Sequence, residues 1–246
     1  YNKQTGEIRS GQIPAPDGFD YYIIKLDGVS AEAGFKETQN FGRLEYSFAL
    51  LVKECGIEMS DCSLIEENGR AHFLTKRFDR MGTEKIHMQS LCGIAHYDYR
   101  ERGAYSYEQS FNIMRRLGLP YSQAQEMFRR IVFNVVMRNQ DDHTKNISFL
   151  MNKDGRWSLS PAYDMGFAYN PAGQWTSSHQ MSVNGKYDNI QRADLLALAD
   201  LNGIKNASET IDKICDAASG WAEIAKNCGV PKKIINAITP HLLINL

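Results

Sequence analysis

Asp141-Asp142-His143-Thr144-Lys145-Asn146, followed by Tyr163-Asp164-Met165-Gly166, is the stretch on which the reading of this chain turns. It sets a carboxylate and a carboxamide five positions apart, then a second carboxylate ahead of a glycine. Phosphoryl transfer needs these parts: an Asp to accept the proton of an attacking hydroxyl, and oxygen ligands for a divalent cation that bridges phosphate oxygens. Asp141 has the place of the base; Asn146 and Asp164 have those of the magnesium ligands. Asp, Asn and His also cluster in ordinary turns, where their side chains bond the local backbone. The segment between the two motifs favours the catalytic reading. Ile147–Met151 and Arg156–Leu159 alternate like strands, and Asn152-Lys153-Asp154-Gly155 reads as their turn, so a hairpin sets the candidate metal ligands at its two ends.

Upstream residues supply the remaining parts. Tyr21-Tyr22-Ile23-Ile24-Lys25 is a β-branched and aromatic run ending in a lysine placed to pair with nucleotide phosphates. Beyond it, Asn40 is positioned to cap a helix in which Phe41, Leu44, Phe48, Leu51, Val52 and Cys55 recur at helical spacing and which stops at Gly56. Glu45 lies in that helix beside apolar Leu44, and Lys25 is its candidate partner; a solvated surface Glu is the alternative. Phe73-Leu74-Thr75-Lys76-Arg77-Phe78-Asp79-Arg80 reads as a strand leading into a hinge. There the backbone of Lys76, Arg77 and Phe78 can meet an adenine edge and Phe78 can pack on it, unless this is an edge strand whose charges discourage aggregation.

These residues together resemble the HipA-type serine/threonine kinases, the toxin components of bacterial toxin–antitoxin pairs. The matching segments are Ile24-Lys25, Lys76–Arg80, Asn139–Asn146 and Leu159–Asp164, which span most of the chain. The resemblance implies a two-lobed, protein-kinase-like α+β fold with a small antiparallel sheet lobe and a larger helical lobe. It also implies ATP and magnesium as cofactors and a protein serine or threonine as acceptor. Carried onto this sequence, Asp141 is the base, Asn146 and Asp164 hold the metal, and Lys25 meets the phosphates. Lys76, Arg77, Phe78, His143, Lys145 and Tyr163 complete the nucleotide site. Met165 stands where kinases usually carry Phe. Such kinases cover the phosphates with a Gly-rich loop, which in this family carries an autophosphorylated serine. The chain opens at Tyr1-Asn2-Lys3-Gln4-Thr5-Gly6 without an initiator Met, that loop or the family's N-terminal subdomain. It is therefore expected to be a proteolytic, nicked or engineered piece containing the kinase core, with residues 1–79 as an incomplete small lobe and 80–246 as the helical lobe.

Composition fits a cytoplasmic enzyme core. A chain of 246 residues buries a substantial core, and a net charge of −1 with interspersed signs gives no electrostatic case for direct nucleic-acid or membrane binding. DNA contact is expected only through a partner, which the resemblance implies to be a HipB-like helix-turn-helix antitoxin. Five cysteines (55, 62, 92, 215 and 228) without a Cys-x-x-Cys pair argue for reduced thiols rather than a disulfide scaffold or zinc site. No apolar run approaches the ~20 residues of a membrane span. Short strands are expected in the N-terminal part and helices from Ser106 onward. Ser122-Gln123-Ala124-Gln125 has capping-box spacing ahead of a helix carrying Met127, Phe128, Ile131, Val132, Val135 and Val136, and Ser208–Cys228 continues a helical pattern after Arg192–Leu201. His96–Arg102 reads as a solvated loop or a substrate surface, and Gly166–Lys186 takes the place of an activation segment. A small-molecule kinase of the aminoglycoside type, a silent kinase-fold binding module and a metal hydrolase built on Asp141, Asp142 and His143 are the competing readings.

Overall fold

The computed structural model describes residues 1–30, 34–35 and 38–246. Its first part comprises β1 (Tyr22–Lys25), β2 (Val29–Ser30), β3 (Gly34–Phe35), α1 (Phe41–Glu54), β4 (Cys62–Glu67) and β5 (Arg70–Lys76). β5 pairs antiparallel with β1 on one side and β4 on the other, giving the small sheet that the short strand-like runs predict. β5 stops at Lys76, so the expected strand through Arg80 is shorter than read: Arg77 and Asp79 pair with each other in the turn that follows.

α1 packs on β4 and β5, and at its other face on the Trp221–Asn227 helix of the helical part. It is the shared wall of the two parts. Leu51 and Val52 are fully buried on it. Gly42 is required there, because a Cβ at that position would stand 1.9 Å from the Ala71 carbonyl oxygen. Asn40 occupies the N-cap position, but in the left-handed region (φ 59°) and without a side-chain cap. The buried Asp27 carboxylate takes over that job, with Oδ1 accepting from the Phe41 and Gln39 amides.

The chain then runs through β6 (Arg80–Met81), β7 (Glu84–Lys85), β8 (His87–Ser90), α2 (Leu91–Ala95) and β9 (Tyr105–Ser106) into α3 (Tyr107–Arg116) and α4 (Tyr121–Val136). α4 is the central helix expected from its apolar residues. Its N-cap is Pro120 rather than Ser122; Gln123 instead spends its side chain on the Leu159 amide at 2.8 Å. Next come β10 (Ser148–Met151) and β11 (Trp157–Leu159), the hairpin read from the sequence, with β8 as an unforeseen third strand against β10. β12 (Met181–Ser182), α5 (Arg192–Leu201), α6 (Ala207–Ser219), α7 (Trp221–Asn227) and α8 (Lys232–Ile238) complete the helical part.

The helical run Ser208–Cys228 is broken at Gly220. The break turns Trp221 inward, where its indole stacks on Phe48 at 5.0 Å and donates to Ser47 Oγ at 3.3 Å. One apolar cluster therefore runs from α1 through α4 to α7. All five cysteines are free. Among the described residues no helix is long and apolar enough to cross a membrane.

Candidate active site

The site lies where the small sheet meets the hairpin and α4. β1 ends in Lys25, whose ammonium reaches Glu45 Oε1 on α1 at 2.6 Å and also bonds the Asp164 carboxylate. Burial opposes the Lys25 charge, but Glu45 and Asp164 outweigh it and hold its pKa above the ordinary lysine value. Burial pushes the Glu45 carboxyl up, against the pull of Lys25. The partner that the sequence suggested for Glu45 is thus beside it, and the same cation ties α1 to the second motif.

Asp141 and Asn146 sit at the two ends of one loop turn, with Asn146 Nδ2 donating to the Asp141 carbonyl at 2.9 Å. That bond leaves Asn146 Oδ1 as an open acceptor. Asp141 keeps an exposed carboxylate; burial lifts its pKa first, with Asp142 and Asp164 adding to the lift while His143 and Lys145 oppose it. His143 Nε2 lies 3.7 Å from Asp141 Oδ1, and Lys145 Nζ lies 3.7 Å from the centre of the Tyr99 ring. Asp164 takes φ 51°, an unusual backbone for an Asp, and the Asn139 side chain donates to its carbonyl at 3.3 Å.

A cleft of ≈ 320 Å³ opens beside the Lys25–Asp164 pair, walled by Ile23, Phe73, Phe78, Met88 and Tyr163. The Phe78 and Tyr163 rings lie 5.8 Å apart. Apolar walls with an ion pair at one end suit a planar heterocycle followed by a charged tail. Lys76 and Arg77 line this cleft, yet their charged ends turn to Asp20 and Asp79. The Lys76 and Arg77 amides are also engaged, by Asp61 and Tyr21 carbonyls; the Phe78 amide makes no backbone bond among the described residues. The Tyr163 hydroxyl is spent on the Lys145 carbonyl at 2.6 Å and on Ser148, and burial drives its pKa to about 12. A second cleft of ≈ 310 Å³, on the α1 side, shares Lys25, Glu45 and Asp164 and adds Asp141, Phe41 and Phe167.

The donor set fits magnesium. Among the described residues no group of three or more His, Cys, Asp or Glu could hold a metal by itself. Asp164 and Asn146 supply hard oxygens only, few in number, which suits a cation that takes its remaining ligands from phosphates and water.

The family described as HipA-like C-terminal domain matches residues 3–223. The chain belongs to this family. A Haemophilus influenzae protein named "Putative kinase" is 30% identical over 220 residues, covering 81% of this chain and 59% of that protein. A Sinorhizobium fredii relative with the same style of name, Y4dM, is 26% identical over 93% of this chain and 58% of its own length. The chain thus spans about three-fifths of the length of these two relatives. Among solved structures, the Shewanella oneidensis HipA, HipB and operator DNA complex aligns with a TM-score of 0.64 at 17% identity, over 96% of this chain and 64% of that one. The Helicobacter pylori proinflammatory kinase CtkA aligns at 0.54 and 14% identity, over 91% and 88%. These two likenesses carry the fold: two-lobed and kinase-like.

The HipA-like domain also holds a buried polar network around Asp142. Asp142 is buried, with Tyr107 OH donating to Oδ2 at 2.7 Å, His179 Nδ1 on the same oxygen at 2.8 Å, and the Gln180 amide donating to Oδ1 at 2.7 Å. Asn134 Nδ2 donates to Tyr107 OH, and Asn139 Nδ2 to Asn134 Oδ1 and the Asp164 carbonyl. A continuous chain of bonds thereby joins the segment after Gly166 to both motifs. On α4, Arg130 pairs with Glu126 at 2.9 Å and donates to the Ser160 carbonyl at 2.8 Å, while Glu126 accepts from the Glu58 amide at 3.0 Å. These buried charges fasten the HipA-like domain's second motif to its central helix.

Proposed function

We propose that this HipA-like domain is the core of a serine/threonine protein kinase, transferring the γ-phosphoryl group of ATP to a protein hydroxyl with magnesium. The observation that carries the reading is the convergence of Lys25, Glu45, Asp141 and Asp164 around one cleft, from four separate segments of the chain, with Asn146 bonded to the Asp141 carbonyl beside it. In this reading residues 1–79 are the small lobe and 80–246 the helical lobe, with the adenine between Ile23, Phe78 and Tyr163.

Lys25, held charged by Glu45, meets the nucleotide's phosphates. Asp164 and, through its Oδ1, Asn146 would hold the magnesium ion. Magnesium supplies charge neutralisation across the phosphate oxygens. The Asp141 carboxylate accepts the hydroxyl proton as the acceptor oxygen attacks, with the Lys145 charge and the His143 ring beside it. Lys76 and Arg77 contribute backbone and stem to the cleft rim rather than their charges. The domain works in the cytoplasm, and a HipB-like helix-turn-helix protein is its proposed partner, so that any DNA contact is made through that partner.

Radiolabelled ATP with magnesium, supplied to the intact protein with protein and aminoglycoside acceptors in parallel, tests the proposal. Label should pass to serine or threonine of protein and not to the small molecule. Asp141→Asn should lower turnover by about 10²–10⁴-fold while sparing ATP binding. Unchanged turnover in that variant would remove Asp141 as the base, and label on the small molecule alone would overturn the acceptor class.

A further inference from the structure

The phosphoryl-transfer reading leaves one contact of the catalytic loop without a role: the aromatic face beneath Lys145. Lys145 is exposed and forms no ion pair among the described residues, yet its ammonium lies 3.7 Å from the Tyr99 ring centroid. The His143 ring meets the same tyrosine edge-on at 5.7 Å. A lysine on a four-carbon stem samples many rotamers, and a cation over a ring face within about 6 Å is held by the ring's quadrupole. One side chain therefore restrains both of the side chains that flank Asp141, the Lys145 ammonium and the His143 ring.

Tyr99 itself is exposed, but the turn that carries it is tied back to the loop through its neighbours. The Cys92 amide donates to the Thr144 carbonyl at 3.0 Å, the Tyr97 amide to the Cys92 carbonyl at 2.9 Å, and the Asp98 amide to Tyr105 OH at 2.7 Å. Tyr97 stacks on Tyr105 at 4.3 Å. On the far side Arg102 bonds the Gln174 carbonyl and Ser178 Oγ, so the wall is braced against the segment after Gly166 as well. The Tyr99 hydroxyl takes part in no hydrogen bond among the described residues. Its ring is the working part.

We propose that Tyr99 is a positioning residue of the transfer site, whose ring holds the Lys145 ammonium and the His143 imidazole in register beside Asp141. It rests on the phosphoryl-transfer reading, and the test separates the two. In the intact protein, acetylation of Lys145 is followed by peptide mass spectrometry against Lys153, an exposed internal standard, in wild type, Tyr99→Phe and Tyr99→Leu. Steady-state transfer is measured in the same proteins, in Lys145→Ala and in the Tyr99→Leu/Lys145→Ala double variant.

Tyr99→Leu should raise Lys145 labelling and lower kcat, each by roughly two- to fivefold, the equivalent of one exposed cation–π contact, with the KM for ATP unchanged. Tyr99→Phe, which keeps the ring, should match wild type in both. Adding Tyr99→Leu to Lys145→Ala should cost less than Tyr99→Leu costs alone, because the part of its effect that runs through Lys145 is already lost and only the hold on His143 remains. Unchanged Lys145 labelling in Tyr99→Leu, or losses that multiply in the double variant, overturns the role of Tyr99 while leaving transfer in place. Absence of transfer in the wild type overturns the phosphoryl-transfer reading instead.

Discussion

Asp141 and Asp142 are neighbours in sequence with opposite surroundings, one carboxylate open to the cleft and the other sealed under Tyr107, His179 and Gln180. A buried carboxylate that accepts three bonds leaves three donors unmet when it is removed. Asp142→Ala should therefore destabilise the fold by about 2–4 kcal/mol, as read from urea unfolding, and Asp142→Asn by less, since one oxygen remains. A loss below about 0.5 kcal/mol in the alanine variant would show that the network is not holding the loop. The contrast also marks what sequence could reveal. Asp141, Asn146 and Asp164 were legible because their spacing belongs to one hairpin and its flanks. Tyr107 and His179 were not, because nothing local relates a helix start and a distant loop to the second Asp of a pair. Lys76 and Arg77 are read as nucleotide contacts through their backbone; their amides are taken by the Asp61 and Tyr21 carbonyls, and their charges turn to Asp20 and Asp79.

Element boundaries depended on long-range contacts in the same way. The apolar spacing of α1 and α4 predicted both helices. Their caps did not follow from local signals: Asp27, far back in the chain, takes the α1 amide, and Pro120 displaces Ser122 at α4. The break at Gly220 answers to Phe48 on α1, a contact that no local periodicity encodes. α1 itself offers a sharp test, because it joins the small sheet to the helical part and carries Glu45. Gly42 lets the helix approach the Ala71 carbonyl of β5, where an added Cβ would sit at 1.9 Å. The obstacle is backbone on both sides, so no side chain can swing away. Gly42→Ala should cost about 1–3 kcal/mol or more of stability, opposite in sign to the usual gain from replacing a helical glycine. A rise in the urea midpoint of this variant would show that α1 and β5 are further apart than described.

At the scale of the whole molecule, one apolar cluster passes from α1 through the central helix to Trp221 and carries with it several ionisable groups held in their protonated forms. Burial pushes the Cys55 thiol from 9.0 up to about 12 and the Tyr163 phenol from 10.0 up to about 12, and raises Cys62, Cys215 and Cys228. Lys25 moves in the same direction: burial acts against it, but Glu45 and Asp164 prevail. In the unfolded chain each group ionises near its ordinary value, so between about pH 9 and pH 12 the folded state binds more protons than the unfolded one. Stability must then fall as pH rises through that window, and it is fully present below it. Urea midpoints at constant ionic strength from pH 8 to pH 11 should be level at first and then decline. Cys55→Ser should shallow the decline by removing one of the groups that titrates late. A midpoint that stays level or rises across the window would mean that these side chains are wetter than their packing implies, and that the core joining the two parts is open to solvent around Cys55 and Tyr163.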